Sequence, residues 1–151
     1  MSELNSILLR PMVDSDLDDV LRIESASFPT PWKRVHFEQE FVSPYSYPSV
    51  AVDKNSGAVV GFICLQVLFE EAQILDVAVA VEYRQQGIAR LLIGSAEDTA
   101  RSRGAEVMTL EVRESNISAR VLYGKLGYCQ SGIRTRYYDG VEDAALMEKR
   151  L

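Results

Sequence analysis

The chain has 151 residues, of which 47% are hydrophobic and 25% charged, a composition typical of a soluble globular protein with one sizeable core. We therefore expect a single domain over residues 1–151. The net charge of −6 at pH 7 argues against nucleic acid as a partner and is compatible with a cationic one, such as an amine or a basic peptide, although it can equally serve solubility alone.

Cysteine and histidine usage gives no sign of a metal centre. Cys64 and Cys129 lie in apolar, strand-like stretches, so we expect both to be buried, reduced thiols. His36 is the single histidine and cannot form a metal cluster. The first twelve residues lack the pattern of a signal peptide, and no apolar run is long enough to span a bilayer. We expect a cytoplasmic protein with no membrane partner.

The first third of the chain predicts a strand followed by two helices. Residues 6–12 are the apolar strand. A helix begins at Asp14 or Ser15, where acidic residues favour a first turn, and it ends before Pro29. Its apolar stripe consists of Leu17, Val20, Leu21, Ile23 and Ala26. A second helix is predicted over Arg34–Val42, with Val35, Phe37 and Phe41 facing inward.

The middle of the chain predicts three antiparallel strands. The turn at residues 54–57 connects a strand at Ser49–Asp53 to a longer one at Ala58–Phe69. Glu70 and Glu71 form the next turn, and the chain returns as an apolar strand over Ala72–Val81.

The second half alternates helices and strands. A helix is expected from Ile88 to Arg103, ended by Gly104, and a strand over Glu106–Arg113. A helix over Asn116–Leu126 and a closing hairpin of Tyr128–Tyr138 and Val141–Lys149 follow. The order predicts an α+β domain, with a mixed, mostly antiparallel sheet of about seven strands and helices on both faces.

A strand, a short polar loop and a helix start follow one another at residues 74–91. The loop reads R-x-x-G-x-A from Arg84 to Ala89, and its backbone N–H groups at the helix start can cradle a phosphate or pyrophosphate. The loop lacks the Lys-Ser/Thr pair of nucleotide hydrolases and the three glycines of dinucleotide sites. Taken alone, it is compatible with a plain strand-to-helix turn.

Two side chains in the following strand and helix have the chemistry of a catalytic site. Glu111 is a carboxylate in the middle of an apolar strand and shares a face with Thr109 and Arg113, so it is either a salt-bridge partner or a general base. Tyr123 lies on the inward stripe of its helix, as expected of a core aromatic whose hydroxyl group is hydrogen-bonded. Asn116 stands at a helix start, where asparagine commonly caps.

Several stretches together resemble the GNAT family of N-acetyltransferases and, within it, the ribosomal-protein-alanine N-acetyltransferases of the RimI type. The stretches stand in order along the chain: FPTPW at 28–32, VAV at 77–79, the loop at 84–89, LEVRESN at 110–116, VLYGKLGY at 121–128 and RYY at 136–138. Two positions depart from the family pattern. Ala80-Val81 replace a frequent Asp-Pro, and Ala89 replaces a second glycine.

The resemblance implies acetyl-CoA as co-substrate and the fold of the acyl-CoA N-acyltransferases. It implies that the backbone of the strand at residues 77–79 binds the pantetheine arm and that the loop at 85–90 binds the pyrophosphate. The cofactor-binding residues implied are Val77, Ala78, Val79, Gln85, Gln86, Gly87, Ile88, Ala89, Arg90, Asn116 and Tyr123. The Val79 N–H would stabilise the thioester oxygen, provided that this strand parts from the strand of Glu111.

The implied reaction is acetylation of a protein N-terminus, most specifically the N-terminal alanine of a small-subunit ribosomal protein. Glu111 would be the general base and Tyr123 the general acid that protonates the CoA sulfur. Phe28, Trp32, Tyr137 and Tyr138 are the expected acceptor-binding residues. Acetylation of lysine or a small amine, a non-catalytic CoA-binding module and a purely structural domain stay open as alternatives. The oligomeric state is also open, and a monomer is compatible with the sequence.

Overall fold

The computed structural model describes residues 3–138 and 140–151, which form seven strands and four α-helices in these residues. The strands are β1 (Ile7–Pro11), β2 (Ser49–Asp53), β3 (Val59–Leu68), β4 (Glu71–Val79), β5 (Val107–Arg113), β6 (Cys129–Tyr138) and β7 (Glu142–Arg150). The helices are α1 (Leu17–Ser27), α2 (Arg34–Val42), α3 (Ile88–Ser102) and α4 (Ile117–Lys125). The predicted fold class is confirmed.

All seven strands belong to one sheet in the order β1-β2-β3-β4-β5-β7-β6. Every neighbouring pair is antiparallel except β4 and β5, which run parallel. The chain reaches β5 from β4 through α3, as a parallel connection requires. The last strand, β7, lies inside the sheet between β5 and β6.

The sheet is covered on both faces. On one face, the α3 face, Ile88, Leu92 and Ile93 pack against β3, β4 and β5. On the opposite face, the α1 face, Leu17 and Val20 of α1 and Phe37 of α2 pack against β2 and β3. The apolar stripe predicted for α1 follows the helical period and contributes to one of the two core clusters, and α3 contributes its own apolar stripe to the other.

A few details differ from the sequence-based predictions. The strand β4 ends at Val79 rather than Val81, because the chain turns into a short 3₁₀ segment at Val81–Tyr83. Val35 and Ala26 are exposed rather than buried, since α1 and α2 each bury a narrower stripe. Cys64 is buried as expected, but Cys129 is exposed because it lies on the edge strand β6. In the predicted turn at residues 139–140, Asp139 lies outside the described residues.

Close packing between α3 and the sheet depends on a glycine in β3. A Cβ atom built on Gly61 would lie 3.2 Å from the Ala78 carbonyl oxygen and 3.3 Å from a Leu92 methyl group. The backbone oxygen cannot move without disturbing the β3–β4 ladder. Gly94, within α3, has no atom within 4 Å of an added Cβ.

These two glycines provide a matched test of the packing. We expect Gly61→Ala to lower the free energy of unfolding by about 1–3 kcal/mol through overpacking, and Gly94→Ala to raise it by up to about 1 kcal/mol through helix propensity. Urea unfolding followed by circular dichroism measures both. If the two substitutions change the free energy of unfolding equally, the packing of α3 against the sheet does not depend on the absence of a side chain at Gly61.

Candidate active site

The strands β4 and β5 part halfway along their length. Their pairing runs from Glu71–Val107 to Ile74–Leu110 and stops there, although β4 continues to Val79 and β5 to Arg113. The parting begins beside a β-bulge, because Cys64 pairs with Asp76 and Leu65 with Ile74, which leaves Leu75 as an extra residue. Bulges bend a strand and often lie next to active sites. The result is an open cleft between β4 and β5.

Backbone donors of β4 face this cleft. The Ala80 N–H donates to the Val60 oxygen at 2.8 Å, so these two residues are a hydrogen-bonded pair of the β3–β4 ladder. Such pairs alternate with non-hydrogen-bonded pairs, and the register is unbroken from Val79 back to Val77. Val77 and Val79 therefore turn their N–H groups away from β3 and toward the cleft, as an added extended ligand requires.

Arg84 fixes the end of β4. Its Nε donates to the Val79 carbonyl oxygen at 2.9 Å and one of its terminal nitrogens to Ser27 Oγ at 3.0 Å. Sequence analysis treated Arg84 only as the first residue of the loop. The structure shows that it holds the strand end, the loop and the end of α1 together, which orients the Val79 peptide.

The loop after β4 presents N–H groups at the start of α3. Gln85 and Gly87 both have positive φ, 63° and 88°, and the first helical hydrogen bond runs from Leu91 N–H to the Gly87 oxygen. The N–H groups of Ile88, Ala89 and Arg90 consequently have no acceptor within the helix. Successive left-handed and helical residues form an anion-binding concavity, so this loop fits a pyrophosphate.

The helix α4 places Tyr123 beside the cleft. Asn116 is its N-cap, and its Oδ1 accepts a hydrogen bond from the Ala119 N–H at 3.2 Å. Tyr123 is buried and packs edge-on against Tyr128 with 6.0 Å between ring centroids. Burial raises the pKa of Tyr123, and the nearby charge of Asp76 raises it further. The phenol thus stays protonated at neutral pH.

Glu111 lies on the β5 side of the cleft. Its carboxylate forms an ion pair of 2.9 Å with Arg134 of β6, and its side chain is 17% exposed. Both readings of the sequence are therefore compatible with its position, because an ion-paired carboxylate can still accept a proton. Burial raises the pKa of Tyr137, and the charge of Glu111 and a hydrogen bond to it contribute next.

The four expected acceptor residues lie on two neighbouring segments. Phe28 and Trp32 are half-buried in the segment after α1, and Tyr137 and Tyr138 end β6. Arg113 connects the segments. Its guanidinium donates to Thr30 Oγ1 at 2.7 Å and to Glu142 at 3.0 Å, and it lies 4.3 Å from the centroid of the Tyr138 ring.

Tyr138, which contacts Arg113, is near enough to Glu111 for the charge of Glu111 to affect its pKa. Burial raises the pKa of Tyr138 to about 12, and the charge of Glu111 is the next contribution. The charge of Tyr138 in turn influences Tyr123. Glu111, Tyr138 and Tyr123 are thus near enough to influence one another electrostatically, and the roles assigned to these residues stay predictions.

Comparison with known proteins identifies the family. The model of the acetyltransferase (GNAT) family matches residues 17–128, which includes β4, the loop and Tyr123. The chain belongs to the GNAT family. It is 35% identical over 138 residues to the ribosomal protein bS18-alanine N-acetyltransferase of Escherichia coli K12, covering 88% of this chain and 90% of that protein.

Solved structures agree with this membership. The crystal structure of the ribosomal-protein-S18-alanine N-acetyltransferase from Escherichia coli superposes with a TM-score of 0.86 at 30% identity, covering 95% of this chain and 93% of that one. Ard1 from Thermoplasma volcanium superposes with the same TM-score at 25% identity, covering 97% and 98%.

This GNAT chain has a second carboxyl group in the cleft that sequence analysis missed. The sequence analysis placed Asp76 within an apolar strand and gave it no role. Glu111 was chosen because it is a charged residue within an apolar strand, and the same reason applies to Asp76. Burial raises the pKa of Asp76 well above its ordinary value, a hydrogen bond and the charge of Glu24 raise it further, and a hydrogen bond from the Val77 N–H lowers it. Glu24 of α1 is also buried.

The raised pKa of Asp76 predicts a pH-dependent stability. The folded chain holds a proton that the unfolded chain releases near its ordinary pKa of 3.8, so this contribution is complete below that pH and is lost as pH rises toward the folded-state pKa. Each retained proton costs about 1.4 kcal/mol per pH unit, which is roughly 3–6 °C in melting temperature per pH unit for a chain of this size. We expect Asp76→Asn to gain thermal stability over the native chain between pH 5 and pH 8.

Differential scanning calorimetry at both pH values measures the difference. Asp98→Asn, which changes a carboxylate of α3 that is 83% exposed, is the control and should show no such pH dependence. A difference between Asp76→Asn and the native chain that stays constant from pH 5 to pH 8 would contradict the assignment of a retained proton.

Proposed function

We propose that this chain transfers the acetyl group of acetyl-CoA to the N-terminal α-amine of a protein by direct attack in a ternary complex. The acceptor is the N-terminal alanine of a small-subunit ribosomal protein, as in the Escherichia coli relative, and the compartment is the cytoplasm. The observation that carries the proposal is the cleft between β4 and β5, where the Val79 N–H is turned away from β3 on one side and Glu111 lies on the other.

The residues along β4 and the following loop fit acetyl-CoA. The loop from Gln85 to Arg90 would hold the pyrophosphate on its N–H groups, and the cleft-facing backbone of Val77 and Val79 would hold the extended pantetheine arm. Acetyl-CoA supplies the activated acetyl group. The Val79 N–H, oriented by Arg84, is placed to stabilise the negative charge that develops on the carbonyl oxygen.

The acceptor amine must lose a proton before it can attack. An α-amine has a pKa of about 8 and is mostly charged at neutral pH. Glu111 accepts this proton, directly or through water, while its ion pair with Arg134 orients the carboxylate. Phe28, Trp32 and the tyrosines of β6 line the side from which a peptide enters.

The leaving thiolate requires a proton donor. Tyr123 is buried, and its raised pKa keeps the phenol protonated, so it can donate to the sulfur as CoA leaves. Asn116 holds the start of the helix that carries Tyr123 and so fixes the position of the hydroxyl group relative to the cleft.

A peptide panel tests the proposed acceptor. With acetyl-CoA, we expect acetylation of peptides that begin with alanine and weaker or no acetylation of peptides that begin with serine or methionine. Peptides with a blocked N-terminus and an internal lysine should not react. Mass spectrometry of the products locates the acetyl group. Acetylation only at lysine would contradict the α-amine acceptor and leave acetyl transfer intact.

Two substitutions test the acid and base. We expect Glu111→Gln and Tyr123→Phe each to lower kcat by about 10²- to 10⁴-fold while calorimetric binding of acetyl-CoA is unchanged. The Glu111→Gln rate should recover at high pH, because there the free amine no longer needs a protein base. Glu106→Gln, an exposed carboxylate before β5, is the control. Full turnover by Glu111→Gln at every pH would exclude it as the base.

A further inference from the structure

Among the described residues, four carboxylate residues are almost fully buried: Asp16, Glu24, Glu40 and Glu97. Asp16 accepts two hydrogen bonds of 2.8 Å from Arg10, and Glu97 accepts hydrogen bonds from Tyr128 at 2.8 Å and Lys149 at 3.1 Å. Glu40 accepts one from Ser46 at 2.9 Å. In Glu24, by contrast, the buried Oε1 has no donor.

The unsatisfied oxygen of Glu24 belongs to a pair. Asp76 Oδ2 is the other buried side-chain oxygen without a donor among the described residues, and the interaction with Glu24 is, after burial, the largest cause of the raised pKa of Asp76. Two ionised carboxylates offer only acceptors, so adjacent carboxyl groups of this kind are satisfied when they share one proton. The second oxygen of Glu24, Oε2, accepts the Trp32 N–H at 2.9 Å, which fixes the pair to the acceptor segment.

The pair lies at the base of the cleft. Asp76 pairs with Cys64 across the β3–β4 ladder at the bulge, and residues 75–77 are each partly exposed although Ile74 and Ala78 on either side are buried. The α1 face, on which Glu24 lies, also carries Phe28 and Trp32. The pair therefore connects the acceptor segment, through the Trp32 N–H, to the part of β4 that leaves β5.

Among the described residues, the groups whose pKa the pair raises are Cys64 from β3 and Tyr123 from α4, and neither of them carries a positive charge. Glu111, the other carboxylate of the cleft, already has Arg134 as its cation. Two adjacent buried carboxyls cannot both ionise without a cation, and a primary ammonium supplies both the positive charge and the N–H donors that the two oxygens lack.

We propose that Glu24 and Asp76 form the subsite for the ammonium group of the acceptor, which displaces the proton shared by the two carboxyls. This inference rests on the proposed function. The displaced proton passes to solvent, and the ammonium keeps its own protons until the base removes one. When the neutral amide product leaves, the pair takes up a proton again.

Proton release on peptide binding tests the subsite. Calorimetric titration of the CoA-bound protein at pH 6.5, in buffers of different ionisation enthalpy, counts the protons released when an alanine-starting hexapeptide binds. We expect the native chain to release about one proton more than Asp76→Asn, which has no shared proton to lose. Both Asp76→Asn and Glu24→Gln should bind the peptide about 10- to 100-fold more weakly.

Two controls make the comparison specific. A desamino peptide, with hydrogen in place of the α-amine, should bind all variants equally and release no proton. Glu40→Gln, which changes a buried carboxyl of the same face that is satisfied by Ser46, should behave as the native chain does. If a variant binds too weakly for calorimetry, the KM for the peptide, which should rise by the same factor, replaces the affinity.

Equal proton release by the native chain and Asp76→Asn, or equal affinity of both for the ammonium peptide, would overturn the subsite. The proposed function fails on a different result, namely a native chain that acetylates no α-amine. A native chain that acetylates the peptide but shows equal proton release would leave the function intact and exclude only the subsite.

Discussion

The parting of β4 and β5 is the constraint on which the rest of the site depends. A parallel pair normally satisfies the inner edges of both strands, and here that pairing stops after Ile74 and Leu110. The bulge at Leu75 bends β4, the ladder to β3 keeps β4 in the sheet, and Arg84 fixes its end. The Val79 N–H is therefore available to a ligand without loss of the sheet, whereas the Val77 N–H donates to the Asp76 carboxyl group.

Much of the fold follows from local sequence signals, because strand and helix periodicities, prolines and glycines lie close to the observed boundaries. The prediction for α2 and β2 agrees with the structure to the residue. The apolar alternation of β5 also placed Glu111 on the half-exposed face. Phosphate binding could be predicted for the residues from Gln85 to Arg90 because the start of any helix presents backbone N–H groups without acceptors.

The contacts that could not be predicted from the sequence join residues that are far apart along the chain. The ion pair between Glu111 and Arg134 joins strands that β7 separates, and the contact between Arg113 and Thr30 joins residues 83 positions apart. Glu24 and Asp76 meet only because α1 packs on β4. A single charged residue in an apolar strand was a usable signal for Asp76, but its partner on a distant helix had no local signature.

The position of β7 has a consequence for how the sheet tolerates shortening of the chain. β6 pairs only with β7, and β5 pairs with β7 along its whole length. Loss of the residues from Glu142 onward would therefore not trim an edge strand. It would detach β6, which carries Tyr137 and Tyr138, from the sheet and leave Glu111 on an edge strand, so the positions of these three side chains depend on β7.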